Sequence, residues 1–262
     1  MKESIFYFMV LFSFNCYSQV QKRIFNIKAN EINSIAIFPP LSAVEIITFK
    51  DEKIDINKRI RIENKLNEET KNNVDSMLIM IDLKKQDIVL DTVYRKQYSN
   101  EIENFMNTLN LLFSDKKLSK SDLKLYLEKI KVSDNIATIM KSYNQRFGLY
   151  VINYAVIRTQ KSYDDVVKRN SSNPFLYGGG ALPYLIFGGL TRKPTDNVDG
   201  VVTYSFIIDA DTKNVVAFAK NMNGGDISDK KSMKERQLLP CFEDFWVWYH
   251  PEAQQYLKLK RK

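Results

Sequence analysis

Few side chains in this sequence are equipped for chemistry, and their spacing limits what each can do. Asp209, Asp211 and Lys213 occupy alternate positions, like the opening of a calcium-binding loop. Such a loop needs an oxygen ligand at its fifth position, glycine at the sixth and a bidentate glutamate at the twelfth. Here those positions hold Lys213, Asn214 and Lys220, so a polar hairpin turn accounts for the residues better. Gly178, Gly179 and Gly180 make a run of the kind that cradles phosphate, yet no Gly-Lys-Ser/Thr follows and Pro183 interrupts any helix start. His250 is the sole histidine, so a metal centre built on it lacks partners, and no nucleophile elbow accompanies it. The acid pairs Asp164–Asp165 and Glu243–Asp244 serve acid–base catalysis only if they are buried, and adjacent charges are normally solvated. These residues predict a non-catalytic protein with no catalytic residue, no metal and no cofactor. The alternative is a hydrolase of envelope polymers that works through buried carboxylates.

Composition narrows the class further. At 262 residues and 44% hydrophobic, the chain is long enough for a sizeable core. A formal charge of +8 comes from lysines interspersed with acids, which describes a mixed solvated surface and not a nucleic-acid binder. The amino terminus has Lys2, an apolar run over 5–14, and Cys16, Tyr17, Ser18, Gln19. That run is shorter than the roughly 20 residues a membrane-crossing helix requires. With small residues three and one before a cut between Ser18 and Gln19, residues 1–18 read as a secretory signal peptide. The chain is therefore expected to be exported, to the periplasm or the outer-membrane periphery. Lipidation of Cys16 is the rival reading, disfavoured because Ser13, Phe14 and Asn15 precede it in place of the leucine-then-small pattern of lipoproteins. Loss of Cys16 leaves Cys241 alone, so no disulfide within the chain is available.

The elements that must position everything else can be read from periodicity. Two apolar, β-branched and aromatic runs in 201–220 flank the polar 209–214, which predicts a β-hairpin with Val202, Tyr204, Phe206 and Ile208 on one face. A second long strand covers 147–159. After a polar lead-in over 19–33, a short strand at 34–38 is stopped by Pro39 and Pro40, and 44–49 reads as an edge strand. Apolar residues recur at three and four over 58–82, the helical period, with the polar 67–73 predicting an exposed middle. A short strand at 87–91 follows. Residues 100–144 read as helical, with Ser133 an N-cap, and form an insert. From 228 the chain reads as helical up to Leu239 and Pro240, followed by an aromatic cluster and a basic tail over 251–262. The fold class is α/β, or α+β: a single domain over 34–250 with helices packed on a mixed sheet.

The order of parts resembles known envelope modules. Ser34-Ile-Ala-Ile-Phe-Pro-Pro, a long helix and Asp87-Ile-Val-Leu together resemble the opening of the TolB amino-terminal domain and of the curli-secretion lipoprotein family. Residues 147–158 resemble those families' strand after a turn. Residues 204–216 resemble their "hydrophobic-D-x-x-T-G-x-V" hairpin, with Asn214 where glycine is usual. The helical insert at 100–132 and the long loop depart from that pattern. The resemblance implies an envelope protein that binds partners or assembles channels, and it carries over no catalytic residue.

One stretch fits neither core nor ordinary loop. A connection over about 160–200 carries Phe175, Leu176, Tyr177, Leu182, Tyr184, Leu185, Ile186 and Phe187, flanked by Lys168, Arg169, Arg192 and Lys193. Connections run over the surface and are normally polar. This one either folds back over a sheet face or presents an apolar patch to a protein partner or a membrane surface. The second option makes those eight residues the expected contact. Trp246 and Trp248, within the aromatic cluster of Phe242, Phe245 and Tyr249, either pack the last element or provide a secondary contact. Assembly as a homo-oligomer stays open at this point.

Overall fold

The computed structural model describes residues 22–49, 52–90, 98, 100–102, 108, 120–159, 161–162, 164–165, 200–224 and 238–246. Its frame is a seven-stranded sheet of β1 (Lys22–Phe25), β2 (Ser34–Ile37), β3 (Leu41–Ile47), β4 (Lys84–Asp87), β5 (Phe147–Arg158), β6 (Gly200–Asp209) and β7 (Asn214–Gly224). The strand order is β1-β7-β6-β5-β2-β4, with β3 also on β5. β5, β6, β7 and β1 are antiparallel in turn, while β2 and β3 run parallel to β5 and β4 runs parallel to β2. The mixed sheet is the predicted one: an early parallel pair joined through a helix, and later antiparallel strands.

Helix α1 (Ile56–Met80) makes that parallel crossover. Asp55 caps it by accepting a hydrogen bond from the Lys58 amide at 3.0 Å. At its other end Asp82 adopts φ 51°, and the Leu83 amide donates to the Leu78 carbonyl at 3.1 Å, a Schellman stop. Helices α2 (Lys120–Lys129) and α3 (Asp134–Ser142) follow. The predicted Ser133 cap is present, its Oγ accepting from the Ile136 amide. α3 ends like α1, with Asn144 at φ 55° and the Gln145 amide donating to Met140 at 3.0 Å. Asp and Asn, the non-glycine residues that best tolerate left-handed backbone, fill both stops.

Alternation along the strands divides the core into two layers. Leu149, Val151, Ile207 and Ala217 face α1 and the terminal helix α4 (Leu239–Trp246), packing with Leu66, Val74, Leu78 and Phe242. Tyr150, Ile152, Phe206 and Phe218 face the other way, with Leu127 of α2, Ile136 and Met140 of α3, and Tyr98 and Ile102. The hairpin residues Val202, Tyr204, Phe206 and Ile208 share this second layer as the spacing required. There Tyr150 stacks between Phe38 (centroids 4.1 Å apart) and its cross-strand partner Phe206 (5.0 Å).

Four elements differ from the sequence reading, each for a physical reason. Pro39 and Pro40 interrupt a strand without ending its course. β2 pairs as far as Ile37↔Leu149 and β3 resumes at Leu41↔Ile152 on the same side of β5. Four steps there oppose three on β5, so the prolines occupy a bulge that needs no ladder amide from them. The strand placed at 87–91 is instead Lys84–Asp87, because the Asp82 turn lets pairing begin at once, and Ile88 and Leu90 become core residues. The middle of α1 is not exposed throughout, since Thr70 and Asn73 are fully buried. The chain does not leave its helix at Pro240, since α4 runs on to Trp246: in a first turn the fixed φ of proline suits the helix and its missing N–H is no loss, while the helix expected over 228–237 lies outside the described residues. The lead-in contributes β1, which pairs with β7 from Lys22↔Lys220 to Phe25↔Ala217.

Candidate functional site

The expected contact residues Phe175, Leu176, Tyr177, Leu182, Tyr184, Leu185, Ile186 and Phe187 lie outside the described residues, as do Trp248, His250 and the tail over 251–262. Trp246 is the last residue of α4. What the structure does place is the base of the apolar connection. β5 and β6 are antiparallel neighbours paired from Phe147↔Asp209 to Val156↔Gly200. The connection therefore leaves one strand and returns to the adjacent one at the same end of the sheet. Thr159, at its start, donates its amide to the Ile47 carbonyl at 3.0 Å, and its hydroxyl bonds Glu52. Glu52 also accepts the Phe49 amide at 3.1 Å. These contacts, chiefly the Thr159 hydroxyl and then the Phe49 amide, lower the Glu52 pKa and keep it an acceptor. The base of the connection is thus tied to the loop that enters α1.

The opposite end of the sheet carries the residues that looked like a calcium loop. Asp209 is buried and receives Arg146 through two nitrogens, Nη2 at 2.8 Å and Nε at 3.1 Å, and the Asp211 amide at 2.9 Å. Burial pushes the Asp209 carboxyl up, but the bonds from Arg146 and from the Asp211 and Thr212 amides together outweigh it, so its pKa lies below the ordinary value. Asp211 lies 3.4 Å from Arg146 and 3.6 Å from Lys141, while Lys213, at φ 60°, pairs with Asp134. Every carboxylate in the turn faces a cation of α3 or of the loop after it. Among the described residues no group of three or more His, Cys, Asp or Glu is placed to hold a metal ion. Residues 209–214 form the turn between β6 and β7, which is the hairpin that the sequence predicts.

A third cluster escaped the sequence reading. On the α1 side of the sheet, the Asn153 amide nitrogen donates to Thr70 Oγ1 at 2.8 Å and to Ser42 Oγ at 3.3 Å, and its oxygen accepts from the Thr203 hydroxyl at 2.7 Å. Asn153, Thr70 and Thr203 are completely buried, so these bonds satisfy groups that water cannot reach. One side chain thereby joins α1, β3, β5 and β6. A signal was present: Asn153 interrupts an apolar strand on one face, opposite Thr203, and Thr70 lies in phase with Leu66 and Val74. Of the acid pairs, Asp164 is exposed, and Cys241 is buried and forms no disulfide among the described residues.

No protein-family model matches the chain, and no curated protein matches it. Among solved structures it is similar to a PelC dodecamer from Paraburkholderia phytofirmans, over 82% of this chain and 95% of that one, at 8% identity and a TM-score of 0.33. It is also similar to the LpoB C-terminal domain from Salmonella enterica, over 74% and 84%, at 7% identity and a TM-score of 0.23. Likenesses this distant carry no argument about role, which rests on the residues alone. Among the described residues no helix is long and apolar enough to cross a membrane.

Proposed function

We propose that this chain is an exported cell-envelope protein that binds or helps assemble other components and performs no reaction of its own. Recognition runs through the apolar connection, with Phe175, Leu176, Tyr177, Leu182, Tyr184, Leu185, Ile186 and Phe187 as the contact and with Trp246 and Trp248 as secondary contacts. The observation that supports this reading is the pairing of β5 with β6. Adjacent antiparallel strands need a turn of roughly 2–5 residues. The chain instead makes an excursion from 160 to 199 between Val156 and its partner Gly200. Bridging distance cannot explain that length, so the excursion has another task, and its composition fits contact with a protein partner or a membrane surface. The signal-peptide pattern of 1–18 and the resemblance to the TolB amino-terminal domain and the curli-secretion family belong to the same proposal.

Replacing 174–190 by a short polar turn tests it. The expected result is an unchanged thermal transition with loss of envelope association in fractionated cells. Collapse of the cooperative transition overturns the reading, since the segment would then be part of the protein's own core.

A further inference from the structure

The first turns of α1 are unlike the rest of the helix. Ile54, Ile56 and Ile60 are 51%, 59% and 45% exposed, although the opposite side of the same helix buries Ile62 and Leu66. Arg59, Ile60 and Arg61 are successive, 100° apart around the axis, and all exposed. Around this turn only the direction of Ile62 is buried, so most of the circumference of the helix start meets solvent. Lys53 and Lys65 are exposed too, and Lys58 is half-buried. The stretch 53–65 thus holds five cations, Lys53, Lys58, Arg59, Arg61 and Lys65, against two acids, Asp55 and Glu63, with Glu52 just before it and acted on by the Lys58 charge. Both acids are engaged: Asp55 caps the helix, and Glu63 accepts the Val44 amide at 3.1 Å and lies 3.7 Å from Arg59. The helix dipole adds partial positive charge at the same place, offset in part by the Asp55 cap. Over the remainder of α1 the balance reverses, with Glu68, Glu69 and Asp75 against Lys71.

We propose that this tip docks on an anionic lipid bilayer surface, its isoleucines entering the boundary of headgroup and acyl chain while the cations meet lipid phosphates. Exposed apolar side chains flanked by cations at one helix start are what an anionic interface attracts, by apolar burial and charge together. The tip also lies at the end of the sheet where β3 and β5 finish, Ile47 opposite Arg158. It uses no residue of the 160–200 connection, so the two can be tested apart.

The test is co-sedimentation of the full mature chain with vesicles of phosphatidylcholine alone and of phosphatidylcholine with about a third phosphatidylglycerol. Binding is expected on the anionic vesicles and not on the neutral ones. Arg59→Glu with Arg61→Glu should weaken it by at least about twentyfold. Ile56→Ser with Ile60→Ser should weaken it about tenfold. Ile79→Ser, at a still more exposed isoleucine in the half of α1 where acids outnumber cations, should leave it unchanged, and all variants should keep the parent thermal transition. Failure of the parent chain to sediment with anionic vesicles overturns the proposal, as does equal binding to neutral ones. Retention by the tip variants overturns it too, including the case in which only replacement of 174–190 abolishes binding.

Discussion

The two ends of the sheet solve opposite problems with similar residues. At the hairpin end, cations and carboxylates are matched: Arg146 with Asp209 and Asp211, Lys141 with Asp211, Lys213 with Asp134. At the far end, where β3 and β5 finish, the cations of α1 outnumber the acids and sit beside exposed isoleucines. The apolar connection leaves and returns at that far end. Charge pairing closes a surface, because matched ions with their hydrogen bonds made have little left to offer a ligand. A set in which cations outnumber acids beside exposed apolar side chains stays open to one. The matched ion pairs thus gather at the hairpin end, and the residues of the two proposed contacts gather at the other.

The sharpest way to break that contrast is at Asp209. Asp209→Ala strips Arg146 and the Asp211 amide of their shared acceptor at a buried position, and should lower stability by about 3 kcal/mol in a denaturant titration. Acid should do the same more gradually. With a folded-state pKa below the unfolded one, Asp209 contributes stability that is complete above roughly pH 4 and is lost as pH falls through the lower folded value. Asp209→Asn should flatten that part of the stability-versus-pH curve. An Asp209→Ala protein as stable as its parent would make the hairpin-end ion pairs ornamental.

The next effect lies between the ends, at Asn153. Thr70→Val removes one acceptor of the buried amide and should cost about 1–2 kcal/mol, read from the thermal or urea midpoint. Because Thr203 bonds the same side chain, Thr70→Val and Thr203→Val together should depart from additivity. This cluster also shows what the sequence could and could not disclose. Sheet, crossover helix and hairpin faces were legible because alternation in 201–208 and the three–four spacing of Ile62, Leu66, Val74 and Leu78 each report one dominant environment. β4 was not, because Lys84, Lys85, Gln86 and Asp87 form an edge strand whose polar side chains protect it and erase the apolar signal. Thr70 and Asn73 read as solvent-facing because a polar residue is buried only when a partner on another element satisfies it. Asn153 is 83 positions away from Thr70 in the chain. At Pro240 the helix was expected to end, yet α4 runs on to Trp246, since proline fits a first turn as readily as a stop and only the residues beyond it decide. Of the candidate contact, the sequence supplied the composition and the structure supplied the closeness of its two ends.

A smaller effect of opposite sign is expected at the far end. Glu45 on β3 is half-buried; burial raises its pKa, and the Arg158 charge opposes that only in part. A carboxylate whose folded pKa exceeds its unfolded one loses stability as pH rises through that window. Glu45→Gln should therefore raise the thermal midpoint at pH 7, with the gain fading as pH is lowered toward 4. A loss at pH 7 would mean that Glu45 is matched after all and that the far end is as closed as the hairpin end.

The smallest effect is the most discriminating for the comparison. Ile56→Ser with Ile60→Ser should leave stability within about 0.5 kcal/mol of the parent, because these side chains keep roughly half their surface in water and lose little burial on truncation. Serine also preserves the helix at modest propensity cost, and the Asp55 cap is untouched. A core isoleucine treated the same way would cost several times as much. Ile62→Ser, two positions further along and buried, is the internal control, and its midpoint should fall well below that of the tip variant. If the tip pair destabilised the fold as strongly as Ile62→Ser, the isoleucines would be packed in solution, and the far end would have no apolar surface left to offer.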